Sequence, residues 1–329
     1  MTAPPPNTPP KYLPTSTDLS LIAVGFSGGQ HRPGVESAPS ALISHGLLTQ
    51  LSDDLELTLH HDSQIHTYAD LIPASDPPTL NMLNPRSVSA ATQRLCAQVH
   101  EQALLGRRVL TLGGDHSLAI GSIAGVASAL RTRHPTAPPL SVIWVDAHAD
   151  INRPADSASG NIHGMPLSFL SGLTDTKDYP EDIFGWMRDE HKIELSKLVY
   201  IGLRDVDRAE RRILKEHNVR AFSMHDVDKH GIGRVMEMAL QHVGEGNPIH
   251  LSFDVDALDP MWAPSTGTPV RGGLTLREGD YIAECVAETG CLVGMDLVEV
   301  NPSIEVSEAD RTIRAGTSIV RCALGDQLL

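Results

Sequence analysis

The chain reads as an α/β protein, a single domain in which a central parallel β-sheet is flanked by helices on both faces. Three observations predict this. Short, nearly continuous apolar runs recur along the sequence, stretches with helical spacing of apolar residues separate them, and acidic residues with histidine gather just after several runs. A strand buried on both faces has no wet side, so it lacks polar alternation. Strands that alternate with helices build a parallel sheet.

The elements follow in order. Leu19–Val24 is the first strand, and a helix over Ser89–Leu105 leads to the strand Val109–Leu112. A helix over Leu118–Arg131 precedes the strands Leu140–Val145 and Leu198–Gly202. Helices over Arg208–His217 and Gly231–Val243 come next, then the strand Ile249–Phe253, a helix over Leu276–Glu288 and the strand Leu292–Val300. Residues 154–161 and 172–182, rich in Ser, Gly, Asp and Pro, read as loops around a site. Residues 1–17, beginning MTAPPPNTPPKYLP, read as a flexible tail, and 18–329 as the catalytic domain.

Composition narrows the function. With 329 residues, 41% hydrophobic and 20% charged, the chain can bury one large core and is no disordered segment. A net charge of −15 speaks against nucleic acid and anionic membrane as partners and for attraction of a cationic small molecule. The tail has neither the basic start nor the apolar run of a targeting peptide, and no stretch of ~18 apolar residues offers a membrane span. The four cysteines, Cys96, Cys285, Cys291 and Cys322, form no CxxC pair and read as reduced thiols of a cytoplasmic protein. A bridge between Cys285 and Cys291 stays open.

The chemistry sits at the strand ends. Val109–Leu112 leads into GGDHS (113–117), Leu140–Val145 into Asp146-Ala147-His148-Ala149-Asp150, and Ile249–Phe253 into Asp254-Val255-Asp256, while Glu299 lies in the last run. Ligands of open α/β sheets bind outside the carboxyl ends of the strands, where these groups would converge. Asp146, His148 and Asp150 are two apart and point the same way in an extended segment. So many charges on one face are costly without a counter-charge. A single Asp after a strand is most often a cap or turn residue, and Asp115 is as fit to cap as to ligate. Capping does not account for His116, Asp146, His148, Asp150, Asp254 and Asp256 together. Four carboxylates and two histidines exceed what one ion with an open position needs, so two ions sharing carboxylates are expected. Manganese suits this set, with zinc, cobalt or iron as alternatives, and the lack of thiolate disfavours structural zinc.

At these residues the sequence resembles the ureohydrolase family and, within it, the arginases. The resemblance covers nearly the whole chain after the tail: FSGGQ (26–30), GVESAP (34–39), GGDHS, VDAHADIN, SGNIHGMP, YIGLRDVD, LSFDVDALDP, TGTPVRGGLT and MDLVEVNP. The first two segments and the Pro-rich tail look like the fungal branch. The resemblance implies two Mn2+ per chain. His116, Asp146, Asp150 and Asp254 would hold one ion, and His148, Asp146, Asp254 and Asp256 the other, with Asp146 and Asp254 bridging. It implies that a metal-bridging hydroxide attacks the guanidinium carbon of L-arginine, giving L-ornithine and urea. Asp150 would relay the proton, Glu299 would pair with the guanidinium, and His163 would shuttle protons at the mouth. His60, His61 and His66 lack such a context and read as ordinary surface histidines.

Substrate choice rests on other positions. Asn152 and Ser159 match residues that meet an α-carboxylate, Asp207 one that meets an α-amino group, and Thr268 would lie near the guanidinium. The nearer alternative is a ureohydrolase acting on agmatine or guanidinobutyrate. A single-zinc amidohydrolase of the deacetylase type is farther, because it leaves Glu299 and the second carboxylate pair without a job. The resemblance also implies a homo-oligomer, trimer or hexamer, with Arg277 at a subunit interface, although the chain stops soon after Gly325, so contacts of a longer tail are in doubt. Some fungal members act on ornithine carbamoyltransferase as regulatory partners, which would be an additional role here.

Overall fold

The computed structural model describes residues 10–177 and 179–327. Among the described residues nine strands form one sheet: β1 (Asp18–Val24), β2 (Thr58–His60), β3 (Ile65–His66), β4 (Arg108–Leu112), β5 (Ser141–Val145), β6 (Leu198–Leu203), β7 (Arg220–Ser223), β8 (Ile249–Asp254) and β9 (Leu292–Val298). Their order is β2-β1-β4-β9-β8-β5-β6-β7, with β3 also pairing on β1, and every strand pairing is parallel. The helices are α1 (Ala38–Ser44), α2 (Leu47–Thr49), α3 (Pro85–Leu104), α4 (Ala119–Arg133), α5 (Pro166–Leu170), α6 (Arg208–Glu216), α7 (Met224–Val243), α8 (Leu276–Glu288) and α9 (Ala309–Ala323).

The apolar runs behave as their composition demands. β5, β6, β8 and β9 are buried at every position, so both faces of the sheet must be covered. α3 and α4 pack on each other and reach β1, β4, β8 and β9, while α7, α8 and α9 pack in series, α7 against β5, β6 and β7. Trp144, Tyr200 and Phe253, fully buried, fill the centre.

Some elements differ from the sequence expectation. β2 and β3 are short and only partly buried, and β7 is exposed at its start, so none carries a continuous apolar run. α7 begins at Met224 rather than Gly231, because Ser223 and Asp226 form a capping box that starts the helix earlier. Gly231, with φ 73° and ψ 152°, then breaks the helical path and continues it after a kink. α9 and the short α1 and α2 are further elements that the sequence reading left out.

The site is positioned by topology. β4, β9, β8 and β5 are consecutive across the middle of the sheet, and the chain crosses from β4 to β5 over the places that β8 and β9 occupy. This is a switch point, where the carboxyl ends of parallel strands open a crevice. At the opposite end, Tyr12 and Leu13 are buried, the Tyr12 hydroxyl donates to Gly246 O at 2.7 Å, and Lys11 N donates to Gly290 O at 3.0 Å. Of the segment read as a tail, residues 1–9 lie outside the described residues. Cys96, Cys285, Cys291 and Cys322 are free. No helix among the described residues is long and apolar enough to cross a membrane.

Candidate metal centre

Two clusters of donor atoms form where the four central strands end. His116 Nδ1 stands 3.2 Å from Asp146 Oδ2, Asp150 Oδ2 and Asp254 Oδ2. His148 Nδ1 stands 3.4 Å from Asp146 Oδ1 and 3.2 Å from Asp256 Oδ2. Asp146 thus turns one oxygen to each cluster. Asp254 joins the first cluster through Oδ2, and its Oδ1 accepts the Asp256 N–H at 2.8 Å. Asp115 belongs to neither; it caps the turn after β4, accepting from Gly29 N at 2.8 Å and Ser117 N at 2.9 Å.

The electrostatics call for a cation. Burial, then Asp256 and Asp146, push the Asp254 carboxyl well up. Burial and Asp146 push Asp150 up to about 6. Burial opposes ionisation of Asp146 too, but His116 and His148 outweigh it and hold that carboxyl far down. Burial likewise works against a charge on His116, yet the surrounding carboxylates overcome it and raise the imidazole well up. Even so, His116 Nδ1 is fully buried and makes no hydrogen bond. A ring nitrogen aimed at three carboxylate oxygens without a hydrogen bond is a metal-ligand arrangement. The spacing fits as well, since ligands about 2.2 Å from a divalent ion stand about 3 Å apart when adjacent. Oxygen and imidazole donors without thiolate suit a hard or borderline ion.

Residues behind the clusters orient them. The His116 ring stacks on Trp144 with centroids 4.0 Å apart and planes 8° apart. Trp144 Nε1 donates to Asp146 Oδ2 at 2.9 Å. His116 Nε2 lies 2.9 Å from Ser252 Oγ, which donates at 3.4 Å to Asp296 Oδ2, and Asp296 also meets His250 Nε2 at 2.9 Å. A hydrogen bond at Nε2 leaves Nδ1 free for a metal. The sequence reading missed Trp144, Ser252 and Asp296. The available signal was polar residues inside buried strands: His250, Ser252 and Asp254 are two apart on β8 and share a face.

Local backbone is specialised here. Asp150 and Glu299 adopt left-handed φ of 50° and 63°, uncommon for residues with a Cβ. Gly114 lets two strand ends meet: a Cβ there would lie 1.8 Å from Phe26 O.

A crevice of about 150 Å³ opens in front of the clusters, and His148, Asp150, Asn152, Ser159, His163, Asp207 and Thr268 all line it. Asn152 Nδ2 donates to Asp207 Oδ2 at 2.9 Å, and Thr268 Oγ1 donates to Asp256 Oδ2 at 2.9 Å. Glu299 is buried behind the crevice, where its Oε1 accepts from His116 N at 2.9 Å and lies 2.9 Å from His163 Nδ1. Burial acts against a charge on His163, but Glu299 and nearby carboxylates lift it to about 9. Glu210, missed from sequence, also lines the crevice; it accepts from Ile151 N and Asp207 N, and burial with Asp150 pushes it up to about 8. Its signal was the capping-box pattern Asp207–Glu210. Away from the site, Arg277 is exposed and paired with Glu284, and His60 and His66 pair with Asp18 and Asp62.

Comparison with known proteins agrees with this geometry. The Arginase family model matches residues 17–325. The arginase of Coccidioides posadasii is 64% identical over 97% of this chain and 97% of its own length. That of Neurospora crassa is 63% identical over 97% of this chain and 89% of its own. Among solved structures, an Entamoeba histolytica arginase in complex with L-ornithine superposes with a TM-score of 0.81 at 30% identity, covering 94% of this chain and 98% of that one.

Proposed function

This chain belongs to the arginase family, a family of metal-dependent hydrolases, and from that premise we propose that it cleaves the guanidinium group of L-arginine to L-ornithine and urea at a pair of Mn2+ ions. The observation that carries the reading is the division of Asp146 between two donor clusters beside a polar crevice. His116, Asp146, Asp150 and Asp254 are assigned to one ion, and His148, Asp146, Asp254 and Asp256 to the other. Two divalent ions supply Lewis acidity that brings the pKa of the attacking water toward neutrality.

The chain's own residues do the rest. Asp150, which lines the crevice beside the first cluster, would accept a proton from the attacking water and return it to the leaving amine. Glu299 orients His163 at the mouth, where the imidazole exchanges protons with solvent. A carboxylate in the same place attracts the substrate guanidinium. Asn152 and Ser159 offer donors to an α-carboxylate, Asp207 an acceptor to an α-amino group, and Thr268 lies beside Asp256 near the reacting end. The ornithine held by the Entamoeba relative supports reading the crevice as the place of the amino-acid head. A polar site of this kind discriminates against analogues lacking its partners, which disfavours agmatine and guanidinobutyrate.

The test combines metal analysis with an assay on arginine, agmatine and guanidinobutyrate. Two manganese ions per chain with urea and ornithine from arginine are expected. Turnover of agmatine in preference to arginine sinks the substrate assignment, and one zinc per chain sinks the two-ion reading. A cytoplasmic homo-oligomer, trimer or hexamer, is part of the same proposal, as is a regulatory contact with ornithine carbamoyltransferase.

A further inference from the structure

The crevice loop, residues 153–161, is held from outside by a turn that no part of the reaction uses. Thr79 and Met82 exchange both backbone hydrogen bonds at 3.0 Å, so Leu80 and Asn81 are the two central residues of a tight turn. Both take left-handed φ, 54° and 58°. Asn tolerates this conformation; Leu does so at a cost, and here Leu80 does so while 48% exposed. Met82, fully buried, fixes the turn to the core.

The turn aims one side chain at the loop. Asn81 Nδ2 donates to Pro154 O at 2.7 Å and to Ser157 O at 2.8 Å. The next residue but one adds a third tie, Leu83 N to Gly160 O at 2.8 Å. Between these points the loop has its own chain of bonds: Ser157 Oγ accepts from Gly160 N, and Ser159 Oγ from Asn161 N. The loop's crevice residues, Ser157, Ser159 and Asn161, thus sit on a segment fastened at 154, 157 and 160. A strained residue and a doubly donating amide, together at the rim of a crevice, are more than a turn needs.

We propose that Asn81 is a positioning residue for substrate choice: by clamping the carbonyls of Pro154 and Ser157 it sets where Ser159 meets the α-carboxylate, and so favours arginine over its decarboxylated analogue. This rests on the arginine reading above. Asn81 is exposed, and glycine keeps its backbone conformation, so Asn81→Gly removes the clamp without straining the turn. Asn81→Asp keeps shape and backbone but sets a carboxylate against two carbonyls.

The experiment compares both variants with the parent in their metal-loaded form by steady-state kinetics and amide hydrogen exchange. The KM for arginine should rise about 10-fold while kcat stays within about twofold, because the ground-state and transition-state contacts to the head group weaken together. Any turnover of agmatine, which lacks the α-carboxylate that Ser159 would meet, should not change. Exchange at the Ser157, Gly160 and Asn161 amides should quicken about 10-fold. An unchanged KM, an unchanged exchange rate, or equal losses on both substrates overturns the proposal. If the parent enzyme does not turn over arginine at all, the functional reading fails instead, and the clamp fails with it only if exchange is also unchanged.

Discussion

His163 Nδ1 and Glu299 Oε1 stand 2.9 Å apart, so the residue that meets solvent and the buried carboxylate behind it form one unit. The sequence assigned them separate duties, a proton shuttle and a guanidinium partner. Their contact means that neither titrates alone.

In metal-free protein, His163 should titrate at about 9, and Glu299→Gln should bring it down toward its ordinary value. The sign of the linkage follows. A histidine whose folded pKa exceeds its unfolded one lends its stability in full below about 6.5 and loses it as pH rises through about 9. Proton NMR of the imidazole across this range checks the titration, and urea unfolding of parent and variant at pH 6 and pH 10 checks the linkage; a variant titrating like the parent refutes the pairing.

Metal content should respond differently to two conservative changes. Asp146→Asn would weaken both proposed ion sites, so chelation-resistant metal should fall below one ion per chain, whereas Asp256→Asn should cost only the ion assigned to the cluster of His148. Elemental analysis after dialysis against a weak chelator separates these outcomes, and equal losses in both variants refute the division of labour.

Ser252→Ala removes the hydrogen bond that keeps His116 Nδ1 turned to the cluster. Outer partners of metal-bound histidines are typically worth about 10–100-fold in affinity. A loss in that range, confined to one of the two proposed ions, is expected from competitive metal titration. Unchanged affinity would show that stacking on Trp144 alone orients the ring.

Gly114→Ala should destabilise the fold by about 1–3 kcal/mol or more, since its Cβ meets backbone, which cannot swing aside as a side chain can. The measurement is a urea midpoint on metal-free protein. A change within a few tenths of a kcal/mol would mean that the Phe26 and Gly114 segments part without cost.

Much of this molecule is legible from its sequence because burial leaves a compositional trace. The runs around Val109, Val142, Val199, Leu251 and Leu297 are buried strands at the expected places. The ligand-type residues were visible because no packing demand explains so many charges at strand ends. What was hidden is relational. Nothing local to Thr58–His60 announces an edge strand, since pairing with β1 supplies what the sequence lacks. Ser252 and Asp296 look like stray polar residues until β8 and β9 lie side by side and bring Asp296 behind His116. Asn81 sits far along the chain from the loop it grips.

Asp150 and Glu299 hold their left-handed backbone against the ordinary preference of side chains with a Cβ. Glycine at Asp150 would relax that strain and also remove a carboxylate that burial and Asp146 push up to about 6, whereas glycine at Glu299 would relax the backbone but leave His163 and the His116 N–H without their partner. The two demands on the chain therefore pull apart at Asp150: a library of metal-free protein screened for thermal endurance alone should enrich replacements there, and under the proposed mechanism those members should be inert. Endurance and the proposed turnover thus draw on one residue in opposite senses, so any effort to harden this protein has to leave Asp150 alone and look elsewhere in the scaffold.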